Sequence, residues 1–157
     1  MSGHWVEASR VVSVEPGVAF DRLMGVRLTD VFTRRFAAFP AVAEVTDQPD
    51  DWGAVGQTRT IVLADGGRLR ETLTDVERPH SFAYLLDRIE GPLRHFVDTI
   101  DGVWTITPQD GGTRIGWAWT FHPKASPARL TTSVLGRMWK GYADRALLEL
   151  EAILTRD

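Results

Sequence analysis

The sequence predicts an α+β fold in which a curved antiparallel sheet of about seven strands wraps around one long C-terminal helix. Apolar residues recur at three- and four-residue steps over residues 127–155, which is typical of one face of an amphipathic helix. Between residues 41 and 122 the pattern alternates as in strands, and glycine turns separate the runs. Two short helical segments follow the first strand, and nothing after them resembles the long crossover helices of a parallel sheet.

The first strand is predicted over residues 5–14, with valines and Ala8 on one side and only Arg10 out of place on that side. Pro16 and Gly17 end it. A short helix follows over residues 18–24, and a second begins at Thr29 or Asp30 and continues to Phe36. The pair forms a V-shaped insertion before the main run of strands.

Six further strands are expected, over residues 41–46, 55–64, 68–76, 81–88, 94–107 and 113–122. The turns Asp65-Gly66-Gly67 and Asp110-Gly111-Gly112 are strong hairpin signals, because glycine tolerates positive φ. Gly102 lies inside a strand and is expected to mark a bulge.

The last helix has a clear start signal, because the Ser126 hydroxyl can accept from a free backbone amide and Pro127 suits the first helical position. Its two internal glycines, Gly136 and Gly141, flank Trp139. They indicate either close packing against a strand, which we favour, or room for a ligand beside an aromatic ring.

Composition narrows the classes of partner and chemistry that are open to this chain. A chain of 157 residues with 43% apolar and 25% charged residues fits one ordinary globular domain, 1–157. The net charge of −3 argues against nucleic acid as the main partner. The chain has no cysteine, no apolar run long enough to span a membrane and no secretion signal, so we expect a cytoplasmic protein. Two lysines against sixteen arginines indicate a GC-rich bacterial genome.

Short motifs that are typical of one known family, in the same order, extend along almost the whole chain. They are Val14-Glu15-Pro16 before Val18-Ala19-Phe20, Trp52 with Val55-Gly56, Asp65-Gly66-Gly67 followed by Glu71, Glu77-Arg78-Pro79 before Phe82-Ala83-Tyr84, Trp104 to Pro108, and Gly111-Gly112-Thr113 with Trp117. With the element order, they make the chain resemble the START/Bet v 1-like (SRPBCC) superfamily, most closely its polyketide cyclase/dehydrase-like branch. The resemblance implies a helix-grip fold that holds an apolar or amphipathic small molecule between sheet and long helix. Members include cyclases, lipid carriers and hormone sensors, so the resemblance specifies the fold better than the function.

Alternation places one residue in two of each strand on the concave face. The expected inward set is Thr58, Thr60, Val62, Leu69, Glu71, Leu73, Phe82, Tyr84, Leu86, Ile100, Trp104, Ile106, Ile115, Trp117, Trp119 and Phe121, with Met138, Trp139 and Tyr142 from the helix. Each aromatic side chain alone is explained by core packing. Six tryptophans in so short a chain nevertheless favour a cavity for a planar ligand. The residues selected as ligand-binding are Thr60, Leu73, Trp104, Trp117, Trp119, Met138, Trp139 and Tyr142.

Glu71 is the main polar candidate, because an acid between Leu69 and Leu73 must either pair with a cation or have a raised pKa. The functional interpretation makes Glu71 a ligand anchor or a general base, with Tyr84 as hydrogen-bond donor, and these two are the candidate catalytic residues. The alternative is an ordinary ion pair between Glu71 and Arg59 or Arg10.

The other polar residues give weaker signals. His95 and Asp101 fall on opposite faces of their expected strand, while Asp98 shares the parity of Trp104 and is expected either at the cavity mouth or in solvent. The four histidines lack the spacing of metal ligands, and there is no phosphate loop or Gly-x-Gly-x-x-Gly sequence. We expect no metal and no cofactor.

Three functions remain open. The first is binding of a hydrophobic or aromatic small molecule, such as a lipid or polyketide, without catalysis. The second is a cofactor-independent cyclase or dehydratase that uses Glu71 or Tyr84 to move protons. The third is a protein-interaction module, which predicts an exposed apolar patch instead of a cavity. The oligomeric state is open, with a homodimer as one alternative.

Overall fold

The computed structural model describes residues 3–36, 39–124 and 128–156, and side chains of the last helix from residue 133 onward. The elements in chain order are β1 (His4–Val12), α1 (Pro16–Met24), α2 (Leu28–Val31), β2 (Val42–Thr46), β3 (Thr58–Leu63), β4 (Arg68–Glu77), β5 (Ser81–Asp87), a 3-10 helix (Pro92–His95), β6 (Val97–Gln109), β7 (Gly112–Pro123) and α3 (Ala128–Leu154). The predicted helix-grip arrangement is confirmed. The start signal at Ser126 and Pro127 lies outside the described residues.

All seven strands form one antiparallel sheet in the order β1-β7-β6-β5-β4-β3-β2. The first strand pairs with the last, which places β1 at one edge of the sheet and β2 at the opposite edge. Both predicted glycine hairpins are present, with Gly66 and Gly111 at positive φ. The concave face then packs against α3 and the two short helices.

Helix α1 begins at Pro16, two residues earlier than expected, because proline suits the first turn and the Glu15 carboxylate accepts a hydrogen bond from the Gly17 amide at 3.1 Å. The expectation for α2 is wrong at its end. This helix stops at Val31, because the next residue turns away and its carbonyl accepts from the Val42 amide at 2.9 Å. The chain is thereby tied to β2 instead of continuing as a helix to residue 36.

The expected bulge at Gly102 is also wrong. The register of β6 shifts between Val97 and Thr99, and Gly102 stands in regular pairing with Tyr84 on β5 and Trp119 on β7. A Cβ atom at this glycine would lie 2.1 Å from the Tyr84 ring. Gly102 therefore provides space for an aromatic side chain that crosses the strand.

Both glycines of α3 are close contact points, but the predicted packing against a strand is found at Gly136 only, and Gly141 packs against a ring outside the sheet. A Cβ at Gly136 would lie 2.8 Å from His4 and Val6 of β1, and one at Gly141 would lie 2.2 Å from the ring of Phe36. A contact with the same helix explains why the charged Arg10 lies on the apolar side of β1. Its Nε donates a hydrogen bond to Glu151 Oε1 of α3 at 2.7 Å. Strand β1 and the helix are thus joined by packing at one end and by an ion pair at the other.

Candidate functional site

A cavity of about 80 Å³ lies between the concave face of the sheet and the helices. Its sheet side comes from β2 to β7, and its opposite wall comes from α1, α2 and their connection, with Tyr142 and Leu150 from α3. The contribution of the short helices is entirely apolar: Leu23, Met24, Val26, Leu28, Val31 and Phe32. The chamber is therefore closed by the V-shaped insertion that follows the first strand.

Three tryptophans form one wall of the cavity, because β6 and β7 both direct alternate residues inward. Trp104 and Trp117 are cross-strand partners whose rings stack with centroids 4.7 Å apart and planes 3° apart. Trp119 meets Trp117 edge-on at 5.5 Å. This provides a flat, aromatic surface of the kind that binds planar ligands.

Tyr84 is the polar centre of that wall. Its ring crosses over Gly102, and its hydroxyl oxygen accepts hydrogen bonds from Trp117 Nε1 at 2.7 Å and Trp119 Nε1 at 2.8 Å. Burial and the charge of Glu71 raise the pKa of the Tyr84 phenol, so it remains protonated. With both lone pairs of the oxygen engaged, its proton is available to an acceptor, and none is present among the described side chains.

Glu71 and Arg59 form a buried ion pair at the other polar end of the cavity. They are cross-strand partners on β4 and β3, and Arg59 Nε donates to Glu71 Oε1 at 2.9 Å. Arg59 Nη1 also donates to Gln48 Oε1 at 2.9 Å, and its guanidinium lies 4.2 Å from the centre of the Trp52 ring. Burial raises the pKa of the Glu71 carboxyl, and the guanidinium opposes that rise.

Six of the ten residues selected from the sequence line this cavity: Glu71, Tyr84, Trp104, Trp117, Trp119 and Tyr142. The inward face predicted for β3 is wrong by one residue. Thr60 points away from the cavity with its hydroxyl 3.4 Å from Asp47, and Arg59, Ile61 and Leu63 line it instead. The reason is the pairing itself, because a residue directly opposite the inward Glu71 must share its face.

The other three selected residues also lie outside the cavity lining. Leu73 is fully buried in the core, and Met138 is half-buried on α3. Trp139 lies behind the aromatic wall, with its ring centre 5.0 Å from that of Trp117 and 5.7 Å from that of Trp119. Its indole N–H is buried without a hydrogen-bond partner among the described residues. It supports the wall from the side of the helix.

The lining residues that were not selected from the sequence include Arg59, Trp52 and the apolar residues of α1 and α2, together with Val42, Ile61, Leu63, Leu69, Phe82, Leu86 and Leu150. A signal for Arg59 was available, since a buried glutamate needs a cation and this arginine was one of the two candidates. The apolar residues of the short helices are predicted as helical faces, but nothing in their spacing says that they cover a cavity.

The polar residues near the start of β6 do not contribute to the site. His95 is exposed in the 3-10 helix, and Asp98 is exposed beside the register shift. Asp101 binds the ring of His122, with Nε2 to Oδ2 at 2.6 Å, on the outer surface. Among the described residues, no group of three acidic or histidine side chains could hold a metal ion.

A second depression of about 330 Å³ lies on the outer side of the same wall, between α2 and α3. It shares Val31, Phe32 and Tyr142 with the cavity. The rings of Phe32 and Tyr142 stack with centroids 5.3 Å apart and planes 18° apart. This stacked pair is the partition between the closed cavity and the outer depression, which we call the outer groove.

Comparison with known proteins agrees with this architecture. The sequence profile described as polyketide cyclase/dehydrase and lipid transport matches residues 4–155. The fold is similar to that of TTHA0849 from Thermus thermophilus, at 16% identity and a TM-score of 0.70 over 96% of both chains. Ginseng major latex-like protein 151 from Panax ginseng follows at 12% identity and 0.67, over 99% of this chain and 100% of that one.

Ara h 8.0201 is similar at 15% identity and a TM-score of 0.64, over 96% of this chain and 97% of that chain. At such identities the likeness concerns the fold alone. No curated protein matches the sequence. Among the described residues, no helix is long and apolar enough to cross a membrane.

Proposed function

This chain belongs to the polyketide cyclase/dehydrase and lipid transport family, within the START/Bet v 1-like superfamily, and on that basis we propose that it binds a hydrophobic or aromatic small molecule in its interior cavity. The observation that supports this most directly is the combination of a stacked tryptophan wall with an apolar cover from α1 and α2. A chain selected only for packing would have no reason to leave space between these surfaces.

The size of the cavity limits the ligand in the closed form. Sites for drug-sized ligands usually measure about 300–1,000 Å³, whereas this cavity measures about 80 Å³. The closed form therefore suits a molecule of about one aromatic ring. A larger ligand requires Phe32 to leave its stack with Tyr142, which would join the cavity to the outer groove and bring the combined volume into that usual range.

Native mass spectrometry and tryptophan quenching test binding directly, with single-ring aromatics, fatty acids, steroids and aromatic polyketides as the panel. Saturable binding is expected, and Leu69→Phe should weaken it because that side chain lines the cavity. Leu147→Phe is the matched control, since Leu147 is equally buried but does not line the cavity. No binding across the panel, or equal loss in both variants, would overturn the proposal.

A second candidate function is favoured by one specific observation: a buried carboxylate and a phenol with a free proton face the same cavity. In a cyclase or dehydratase, Glu71 would take a proton from the carbon beside a carbonyl. Tyr84 would donate a hydrogen bond to the oxygen on which negative charge develops. No cofactor is needed for this step.

Deuterium exchange tests that step without knowledge of the natural substrate. The methyl protons of acetophenone should exchange with D₂O in the presence of the wild-type protein, and the exchange should be lost in Glu71→Gln while acetophenone still quenches tryptophan fluorescence. Exchange at the wild-type rate in Glu71→Gln would remove Glu71 from the reaction, and no exchange in either protein would leave binding as the function.

The interaction-module alternative predicts an exposed apolar patch. The exposed large apolar side chains among the described residues are Trp5, Val11, Val18, Val55, Val134 and Leu148. They are spread over β1, α1, the segment before β3 and both ends of α3. We propose no function from them.

A further inference from the structure

The buried Arg59–Glu71 pair uses only part of its hydrogen-bonding capacity. Arg59 donates through Nε and Nη1, and Glu71 accepts through Oε1. Arg59 Nη2 and Glu71 Oε2 have no partner among the described residues, although both side chains are more than nine-tenths buried and line the cavity. One free donor and one free acceptor thus lie on paired side chains of a chamber whose other polar group is the Tyr84 hydroxyl.

The position of this pair is fixed from several directions. The cross-strand register of β3 and β4 places the two side chains opposite each other. Gln48 holds the guanidinium at one nitrogen, and the ring of Trp52 packs against its face at 4.2 Å. A guanidinium held on a ring and at two nitrogens loses little further freedom when a third nitrogen binds a ligand.

The charges of the pair limit the ligand. Arg59 and Glu71 neutralise each other at 2.9 Å, so a charged group brought to this end would leave an unpaired charge in an apolar cavity. A neutral group that offers an acceptor and a donor side by side on one edge would satisfy both free atoms. Primary amides and the hydroxy-ketone edge of an enolised diketone have this pattern.

From this geometry we propose that Arg59 Nη2 and Glu71 Oε2 form a two-point recognition site for a neutral ligand edge with adjacent acceptor and donor. The ligand's acceptor oxygen binds Arg59 and its N–H or O–H binds Glu71, while its ring lies in the apolar part of the cavity. The inference rests on the proposed binding function and adds the polar group that selects among hydrophobic ligands.

Four single-ring probes test it by tryptophan quenching and calorimetry: benzamide, acetophenone, toluene and benzoate. Acetophenone has the same ring and carbonyl as benzamide but a methyl group in place of the donor. Benzamide should bind about tenfold more tightly than acetophenone, because the second hydrogen bond is made in a buried site. Benzoate should bind more weakly than benzamide.

The paired variant Arg59→Met with Glu71→Leu removes both charges together, which avoids a lone buried charge. It should reverse the order of benzamide and acetophenone and retain binding of toluene. Comparison of the probes on the wild-type protein does not depend on the folding of this variant.

Acetophenone or benzoate binding the wild-type protein at least as tightly as benzamide would overturn the inference alone, as would an unchanged order in the paired variant. If none of the four probes binds, the inference is overturned, and so is the proposal that the closed cavity binds a ligand of about one aromatic ring.

Discussion

Replacing Tyr84 with phenylalanine removes a single oxygen atom from the centre of the protein. That oxygen accepts two hydrogen bonds, from Trp117 Nε1 and Trp119 Nε1, and both are buried. The ring can remain over Gly102 in the variant. The change therefore isolates the polar role of the hydroxyl from the packing of the side chain.

The expected loss of stability follows from the two donors left behind. A buried donor without an acceptor costs about 1–3 kcal/mol, so two such indole N–H groups predict a loss of roughly 2–4 kcal/mol after partial relaxation. For a domain of this length each 1 kcal/mol corresponds to about 2–4 °C, so a loss of about 3 kcal/mol lowers the midpoint of thermal unfolding by about 6–12 °C.

Tyr142→Phe is the matched control, because Tyr142 is a buried tyrosine that makes a single bond, to the Pro40 carbonyl oxygen at 3.3 Å. This bond is long for an O–H donor, and its removal should cost about 1 kcal/mol or less. Urea unfolding of both variants, followed by tryptophan fluorescence, gives the comparison. Equal losses, or a smaller loss for Tyr84→Phe, would refute the reasoning, because the indoles would then not depend on the phenol oxygen.

Three further perturbations test other parts of the site. Gly102→Ala should lower the free energy of unfolding, measured in urea, by about 1–3 kcal/mol, because the added Cβ meets the Tyr84 ring. The same loss in a Tyr84→Ala background would contradict this contact. The raised pKa of Glu71 means that the native state binds its proton more tightly than the unfolded chain, so the free energy of unfolding should fall as pH rises above about 4.5 towards the native pKa. Urea unfolding at a series of pH values should show that slope in the wild type and lose it in Glu71→Gln, and the same slope in both would contradict the assignment. Phe32→Leu should speed ligand association severalfold in stopped-flow quenching. Phe20→Leu should not, because Phe20 packs on Phe82 away from the partition. Equal association rates in the two variants would exclude ligand access past Phe32.

The sequence predicts the sheet and its aromatic wall well for a clear physical reason. In β7, Ile115, Trp117, Trp119 and Phe121 alternate with small or polar residues, and only one face of a strand can bury such a series. The glycine hairpins fix the strand boundaries on either side. In this strand the local pattern and the burial agree, so the sequence alone is sufficient to predict which residues face inward.

The prediction fails where burial contradicts residue type. In β3, a charged Arg59 between two threonines indicates an outward position, yet it faces inward because Glu71 lies opposite. That pairing depends on the register of two strands, which local alternation does not carry. The cover of the cavity was not predicted for a similar reason, since the path of the chain after Val31 is set by a hydrogen bond from the Val42 amide of β2 to the Phe32 carbonyl.

The tryptophan wall has an optical consequence. The ring centres of Trp104 and Trp119 lie 4.7 and 5.5 Å from that of Trp117, and Trp139 lies 5.0 Å from it on the other side. At such separations excited indoles exchange energy much faster than they emit. A single molecule that quenches Trp104 would therefore dim the whole set, and the emission of this protein should fall further per bound ligand than the one ring in contact could explain.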